Sequence, residues 1–365
     1  MRVCVFGLRG FPLVEGGVER HCESLYPRMG EGVDFTVYRR RPYVKAEGEY
    51  PRIRFVDLPS TRFKGFEAAF HSFLAARRAA AARPDVVHIH NIGPAMFSPM
   101  LRRAGIPVVL TYHSPNYEHR KWGRLARKLL RRSERIALAN ASRVIFVNRF
   151  QMEKFPDIRE KSVYIPNGIE PPAAPKGREE LDALGVEAGK YVLAVGRITP
   201  EKGFDTLIEG FRGAEHEGYK LVIAGGVETE NRYMERLRRL AGGEVAFAGP
   251  VFGDRLAQLY ANAALYVLSS NNEGFPLVLL EAMSYGLPVL ASDIPASHLV
   301  ALDAEDYFPR GNAQALAAKI GERLAHPKKP AYDLRGYDWN RIADATMEVY
   351  RAVAGEAAQG PRGRG

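Results

Sequence analysis

The sequence predicts an α/β fold built from two doubly wound domains, each a parallel sheet covered by helices on both faces. Short β-branched runs alternate with helix-length segments along almost the whole chain, and the strand runs are continuous in apolar residues. Strands buried on both faces of a parallel sheet read this way, and strand–helix alternation is the pattern that builds such a sheet. One stretch rich in Pro and Gly divides the pattern into halves of similar size, and 365 residues suffice for two ordinary cores.

In the first half, strands are expected at 2–6, 33–38, 85–90, 106–112 and 143–147, with helices near 17–29, 66–82, 95–104 and 122–139. In the second half, strands are expected near 191–195, 219–224, 244–247, 264–268 and 287–291. Helices are expected there near 203–212, 229–241, 253–262 and 276–285. The divider is residues 166–177, with four prolines and two glycines, which suits a linker. The expected domains are therefore 1–168 and 169–338, followed by a helix at about 339–354 and a disordered Gly/Ala/Arg tail at 355–365.

Both cysteines, Cys4 in an apolar run and Cys22 on a helix, read as small core residues. The first residues enter a strand directly, without the pattern of a signal peptide, and no apolar run approaches the roughly 20 residues that span a bilayer. A cytoplasmic protein is expected. The net charge of +10 is uneven: residues 1–170 hold 30 Lys+Arg against 16 Asp+Glu (+14), and the remainder 22 against 26 (−4). The first half is thus expected to face something anionic, be it nucleic acid, an acidic substrate or a membrane surface.

The most informative stretch runs from Asn271 to Gly286, with Glu273, Gly274, Phe275, Pro276, Leu277 and Glu281 in order. Pro276 suits the first turn of a helix and Gly286 its end. Amides from Gly274 to Leu277 then lack helical partners, and such a helix start suits a diphosphate and neighbouring sugar hydroxyls. Glu273 and Glu281 are too far apart to act on one atom; one suits hydroxyls of a sugar and the other those of a ribose. The plainer alternative makes Glu273 a helix-dipole partner and Glu281 a solvated helix residue.

A second stretch, Gly196-Arg197 to Glu201-Lys202-Gly203, joins a strand to a helix. A planar fork and a mobile point charge at a strand's carboxyl end suit a diphosphate leaving group and the charge that develops on it. Near the start, Gly16-Gly17 before a helix permits close approach of a bulky ligand. The spacing is not that of a dinucleotide site, and the second strand ends in Arg39-Arg40-Arg41 where an NAD ribose would need a carboxylate. His113, after the strand 106–112, is placed to meet a sugar hydroxyl or an acceptor. His88 and His90 form a His-x-His pair with no third ligand at suitable spacing, so no metal site is expected.

Together these pieces resemble glycosyltransferase family 4, retaining enzymes of the GT-B fold with two Rossmann-like domains facing a central cleft. Glu273 and Glu281 match its pair of glutamates with seven residues between them, and Gly196-Arg197 with Lys202-Gly203 matches its phosphate loop. Pro166-Asn167-Gly168 matches its linker motif, although Glu170 stands where the family more often has Asp. Gly16-Gly17, His113 and the stretch from Asp85 through His88 to His90 match the first domain, and the resemblance runs from Arg2 to about Val353.

The resemblance implies a nucleotide-sugar donor and a saccharide or lipid-linked acceptor. Arg197 and Lys202 would hold the diphosphate, with Gly16-Gly17 approaching it. Glu281 would take the ribose hydroxyls. Glu273 with the amides of Gly274, Phe275 and Leu277 would hold the sugar and its phosphate, and His113 would meet the sugar near its reacting carbon. Reaction on one face of the sugar, with the departing phosphate helping to deprotonate the acceptor, would need neither a protein nucleophile nor a metal cofactor. The last helix would cross back onto the first domain. The Gly-Leu-Arg-Gly-Phe-Pro opening is similar to a subgroup associated with surface polysaccharide and rhamnosyl transfer. A GT-B epimerase, a phosphorylase or a non-catalytic binding module would share the fold, but the intact glutamates and phosphate loop count against these.

Residues 120–132 hold seven cations, with Arg120, Arg124, Arg127 and Arg131 at helical spacing, Leu125 and Leu129 on another face, and Trp122 beside them. This basic amphipathic segment reads as an element for an anionic membrane surface, making the protein peripheral on the inner face, or as a solvated helix face. A nucleic-acid partner is not expected, since no base-stacking platform accompanies the charge.

Overall fold

In the computed structural model the chain divides into two units, residues 1–168 with 336–365, and residues 169–335. The structure describes residues 1–14, 16–44, 46, 48–61, 66–115, 117, 123–227 and 232–359.

The first unit contains β1 (Arg2–Phe6), α1 (Gly17–Leu25), β2 (Asp34–Arg40), β3 (Ile53–Leu58), α2 (Glu67–Ala82), β4 (Val86–His90), α3 (Ser98–Arg103), β5 (Val108–Tyr112), α4 (Arg124–Asn140), β6 (Arg143–Phe146), α5 (Arg149–Met152) and β7 (Ser162–Tyr164). Its sheet is parallel throughout, in the order β3-β2-β1-β4-β5-β6-β7. Alternation along β1 explains the double cover. Val3 and Val5 pack on one face with Leu25 and Tyr26, whereas Cys4 and Phe6 pack on the other with Ala75, Ala79, Ala137 and Leu138.

The second unit contains α6 (Glu179–Leu184), β8 (Tyr191–Val195), α7 (Phe204–Gly213), β9 (Lys220–Ala224), α8 (Arg232–Leu240), β10 (Val245–Gly249), α9 (Gly253–Asn262), β11 (Leu265–Leu268), α10 (Leu277–Ser284), β12 (Val289–Asp293), β13 (Tyr307–Pro309) and α11 (Ala313–Ala325). Its parallel sheet has the order β10-β9-β8-β11-β12-β13. Val192 and Ala194 pack with Phe204, Leu207, Phe211, Leu316 and Ile320.

The chain then returns to the first unit. α12 (Trp339–Gln359) begins where Asp338 Oδ1 accepts the amides of Asn340 and Arg341, and it sets Trp339, Ile342, Met347, Tyr350 and Val353 into the same core as Val3 and Val5. The expected tail from 355 is helical as far as Gln359. Ala354, Ala357 and Ala358 favour helix, and Glu356 pairs with Arg143, so the sequence there sustains the helix. Residues 360–365 lie outside the described residues.

Six further elements went unexpected. β3 carries Arg54 and Asp57 and lies at the sheet edge, so its apolar signal is diluted by charge. β7 and β13 have three residues each, and β13 ends on a proline that only an edge position accommodates. α5 and α6 are short. α11 carries a readable signal: the side chain of Asn312 caps the amide of Ala315, ahead of an Ala-rich run.

Candidate active site

In the second unit β8 and β11 are neighbours, while the chain beyond β8 passes to β9 on one side and the chain beyond β11 to β12 on the other. Strand order therefore reverses between β8 and β11, and the carboxyl ends of strands at such a point are where open α/β sheets bind ligands. Both informative stretches begin there. Residues 196–203 follow β8 and residues 269–276 follow β11.

The two loops are laced together through three backbone carbonyls of the first. The Asn271 amide donates to the Glu201 carbonyl at 2.7 Å, the Asn271 side-chain amide to the Pro200 carbonyl at 3.2 Å, and the Ser269 hydroxyl to the Lys202 carbonyl at 2.9 Å. Gly203 makes this approach possible. Its φ is +63°, and a Cβ there would lie 2.2 Å from the Ser269 carbonyl oxygen.

This lacing brings Lys202 and Glu273 together across 71 residues of sequence. Lys202 Nζ donates to Glu273 Oε1 at 2.5 Å, and the Ser270 hydroxyl donates to the same oxygen at 2.6 Å. The side chains are only 18% and 12% exposed, so solvent screens the pair little. Arg197 is exposed, on the loop after β8. The cation assigned to a diphosphate and the carboxylate assigned to a sugar thus hold each other in the protein itself.

Glu281 is not a solvated helix residue. It is buried on α10, where Tyr260 donates to its Oε2 at 2.9 Å from α9. The buried phenol of Tyr266 on β11 is held well above its ordinary pKa by burial, with the Glu281 and Glu273 carboxylates adding to the effect.

Two expectations about this helix are corrected. Pro276 is the residue before α10, not part of its first turn; its carbonyl accepts from Leu279 and Leu280, which starts the helix one residue later. The Leu277 amide is not available to a ligand, because it donates to the Phe275 carbonyl at 3.0 Å. Gly274 and Phe275 lie in the turn just before it.

In the first unit the strand order reverses between β1 and β4, and a buried imidazole cluster sits at that edge. His90 Nδ1 lies 3.0 Å from His113 Nε2, and Tyr26 places its hydroxyl 2.6 Å from His90 Nε2 and 3.0 Å from His88 Nδ1. Tyr350 from α12 reaches His88 Nδ1 at 2.6 Å, and Thr111 reaches His88 Nε2 at 2.7 Å. His21 on α1 meets Asn167 Oδ1 through Nδ1 at 2.7 Å. Burial holds His21 at a pKa of about 4 and His88 at about 3; His90 and His113 are pushed down by the same cause. The cluster is neutral near pH 7.

Spacing alone pointed to His88 and His90, yet the histidines that converge are His21, His90 and His113. One nitrogen from each lies within 4.8 Å of the others. His21, Tyr26 and Asn167 were not singled out as site residues, since no spacing rule links them. The Pro166-Asn167-Gly168 motif gave the one usable signal: a Cβ on Gly168 would strike the Trp339 ring at 2.5 Å, so this turn closes the cluster.

Gly17 opens α1 and Gly16 precedes it with a φ of +147°. A Cβ on Gly16 would lie 2.0 Å from Glu19 Oε2, and Glu19 Oε1 accepts the Arg9 amide at 2.9 Å. The positive φ by itself therefore favours a glycine at 16, while the Glu19 carboxylate is the end of a flexible side chain that can move aside. At the end of β2, Arg39 pairs with Asp57 at 2.7 Å, and Arg40 with Glu67 at 3.5 Å.

Residues 178–333 match the family described as glycosyl transferases group 1, and residues 15–171 match glycosyltransferase family 4. A phosphatidyl-myo-inositol mannosyltransferase of Mycobacterium leprae is 30% identical over 305 residues, covering 74% of this chain and 74% of its own. An amylovoran biosynthesis glycosyltransferase of Erwinia amylovora is 30% identical over 134 residues, covering 36% of this chain and 38% of its own. Among solved structures, a sucrose-phosphate synthase from Thermosynechococcus elongatus aligns with a TM-score of 0.80 at 22% identity, over 96% of this chain and 98% of that one. With both domains matched and the GT-B fold shared, the chain belongs to glycosyltransferase family 4 and is a nucleotide-sugar glycosyltransferase.

Proposed function

We propose that the enzyme transfers a hexosyl residue, with retention, from a nucleotide-diphosphate sugar to a hydroxyl of a lipid-linked or polysaccharide-precursor acceptor. The observation that carries this is the Lys202–Glu273 pair at the switch point of the second unit, with Arg197 on the same loop as Lys202. In this reading the incoming diphosphate takes over Lys202 and recruits Arg197, and Glu273, relieved of its cation, accepts from the sugar's hydroxyls. Positive charge then faces the oxygen on which negative charge grows as the sugar–phosphate bond breaks. Glu281, held in place by Tyr260, takes the ribose hydroxyls, and the turn at Gly274 and Phe275 lies against the sugar. Gly16 and Gly17 leave room for the diphosphate. His113 meets the sugar near its reacting carbon through Nδ1, which carries no hydrogen bond among the described residues. No metal has a step in this chemistry. The names of the two relatives, one a phosphatidyl-myo-inositol mannosyltransferase and one a glycosyltransferase of amylovoran biosynthesis, support the acceptor class.

The first test is nucleoside diphosphate release. Release from one donor series that depends on added acceptor supports transfer, and acceptor-independent release with isomerised sugar would replace it by epimerisation.

A membrane-facing surface is part of the same proposal. No helix among the described residues is long and apolar enough to cross a membrane. On α4, Leu125 and Leu129 are 83% and 53% exposed beside exposed Arg124, Lys128, Arg131 and Arg132. Phe66, Phe70 and Phe73 at the start of α2 are exposed too, and Phe73 lies 5.8 Å from Phe97. Both helices start at the carboxyl edge of the first sheet, on one face of it. Apolar side chains among cations suit an anionic bilayer surface. Arg120 and Trp122 lie outside the described residues. Binding to anionic but not neutral vesicles, weakened by salt and by Leu125→Asp with Leu129→Asp, is the expected result. Equal binding to both vesicle types would remove the membrane from the proposal.

A further inference from the structure

We propose that His21, His90 and His113 form a three-imidazole site for one divalent transition-metal ion of the zinc class. The three come from α1, the end of β4 and the residue after β5, which the fold brings to one edge of the first sheet. Their ring centroids are 4.9, 5.3 and 5.5 Å apart, and one nitrogen of each lies within 4.8 Å of the others. A tetrahedral ion at about 2.0–2.1 Å from each nitrogen sets its ligand atoms roughly 3.3–3.4 Å apart. His90 Nδ1 and His113 Nε2, at 3.0 Å, nearly meet that spacing already, and the third nitrogen closes by at most about 1.5 Å.

The hydrogen bonds around the trio point its nitrogens inward. Asn167 Oδ1 can only accept, so it fixes the proton of His21 on Nδ1 and leaves a lone pair on Nε2. That Nε2 is buried and has no hydrogen-bond partner. His90 rests its far nitrogen on the Tyr26 hydroxyl at 2.6 Å, the outer-sphere support typical of a metal-bound imidazole. Three nitrogens without a carboxylate favour zinc, cobalt, nickel or copper over magnesium or calcium. His113 is the most exposed of the three, at 9%, so the fourth position opens on its side, to water or an oxygen of a small molecule.

The test uses the untagged full-length chain and Co(II), whose visible bands report the geometry of its ligands. Bands that saturate at one cobalt per chain, are displaced by Zn(II) and ignore Mg(II) are expected. His21→Gln and His113→Gln should abolish them. Asn167→Ala should weaken binding by about 10- to 100-fold through loss of outer-sphere support. His88→Gln, from the same cluster but outside the trio, should keep them, and circular dichroism establishes that each variant is folded. Absence of a saturable band in the wild-type chain, or its survival in folded His21→Gln, would overturn the site. A second arm rests on the proposed role of His113: zinc, by holding that ring, should inhibit transfer in the wild-type chain and not in His21→Gln. Zinc binding without inhibition would leave the metal site standing and overturn the role of His113.

Discussion

Lys202 and Glu273 hold each other at 2.5 Å in a largely buried setting, so removing either leaves the other uncompensated as well as stripping the proposed donor site. Lys202→Ala is expected to lower kcat by about 10²–10³-fold, the range for losing one group that stabilises developing charge. Glu281→Gln should instead raise the donor KM by about 10- to 100-fold with little change in kcat, since ribose contacts persist unchanged from ground state to transition state. Initial-rate kinetics with the preferred donor separate the two; equal effects on kcat would put Glu281 at the reacting centre. Glu273, Arg197 and Lys202 were legible in the sequence because each lies within a short local motif on a strand-to-helix loop, and Glu281 because it sits in the same motif as Glu273, inside α10. His21 and Asn167 were not, because their contact spans 146 residues and exists only once α1 and the turn at Pro166 have been brought to the same sheet edge.

Among elements, the join between the loops after β8 and β11 depends on Gly203. Gly203→Ala forces a side chain into a left-handed backbone and against the Ser269 carbonyl, and should cost about 1–3 kcal/mol. Gly243→Ala, with nothing within 4 Å of the added carbon, is the matched control. Thermal melts with and without nucleotide check both, and Gly203→Ala should also blunt the nucleotide-induced shift by displacing Lys202. On α2, burial and then the nearby charge of Arg40 lower the pKa of His71 to about 4. The unfolded chain protonates this imidazole near pH 6.5 while the folded one does not, so its contribution is complete above that pH and is lost as the pH falls toward 4. The loss amounts to about 3 kcal/mol at the acid end. Denaturation at pH 7.5 and 5 should show His71→Leu losing less stability on acidification than the wild type. The continuous apolar strands at the sheet centres were legible for the reason that they are buried on both faces. β3, β7 and β13 were not, since an edge strand can carry charge, shrink to three residues or end in proline without losing its single partner.

At the scale of the molecule, two parallel α/β units were readable from alternation and from one Pro/Gly-rich divider. What periodicity could not show is that the first unit's core is assembled from both ends of the sequence. α12 supplies Trp339, Ile342, Met347 and Tyr350 to the side of the sheet built on Val3 and Val5, and Tyr350 reaches His88 across 262 residues. On the ribosome this reverses the usual order. Ile169–Arg335 has all its strands and helices in hand once Arg335 has emerged, whereas the earlier-made unit waits, with one side of its sheet uncovered, until Gln359 is out. A nascent chain halted before Trp339 should therefore present a protease-resistant second unit joined to a first unit that is still digestible. For the same reason, a pause in translation late in the message would leave the amino-terminal strands as the part most exposed to misassembly and most in need of a chaperone.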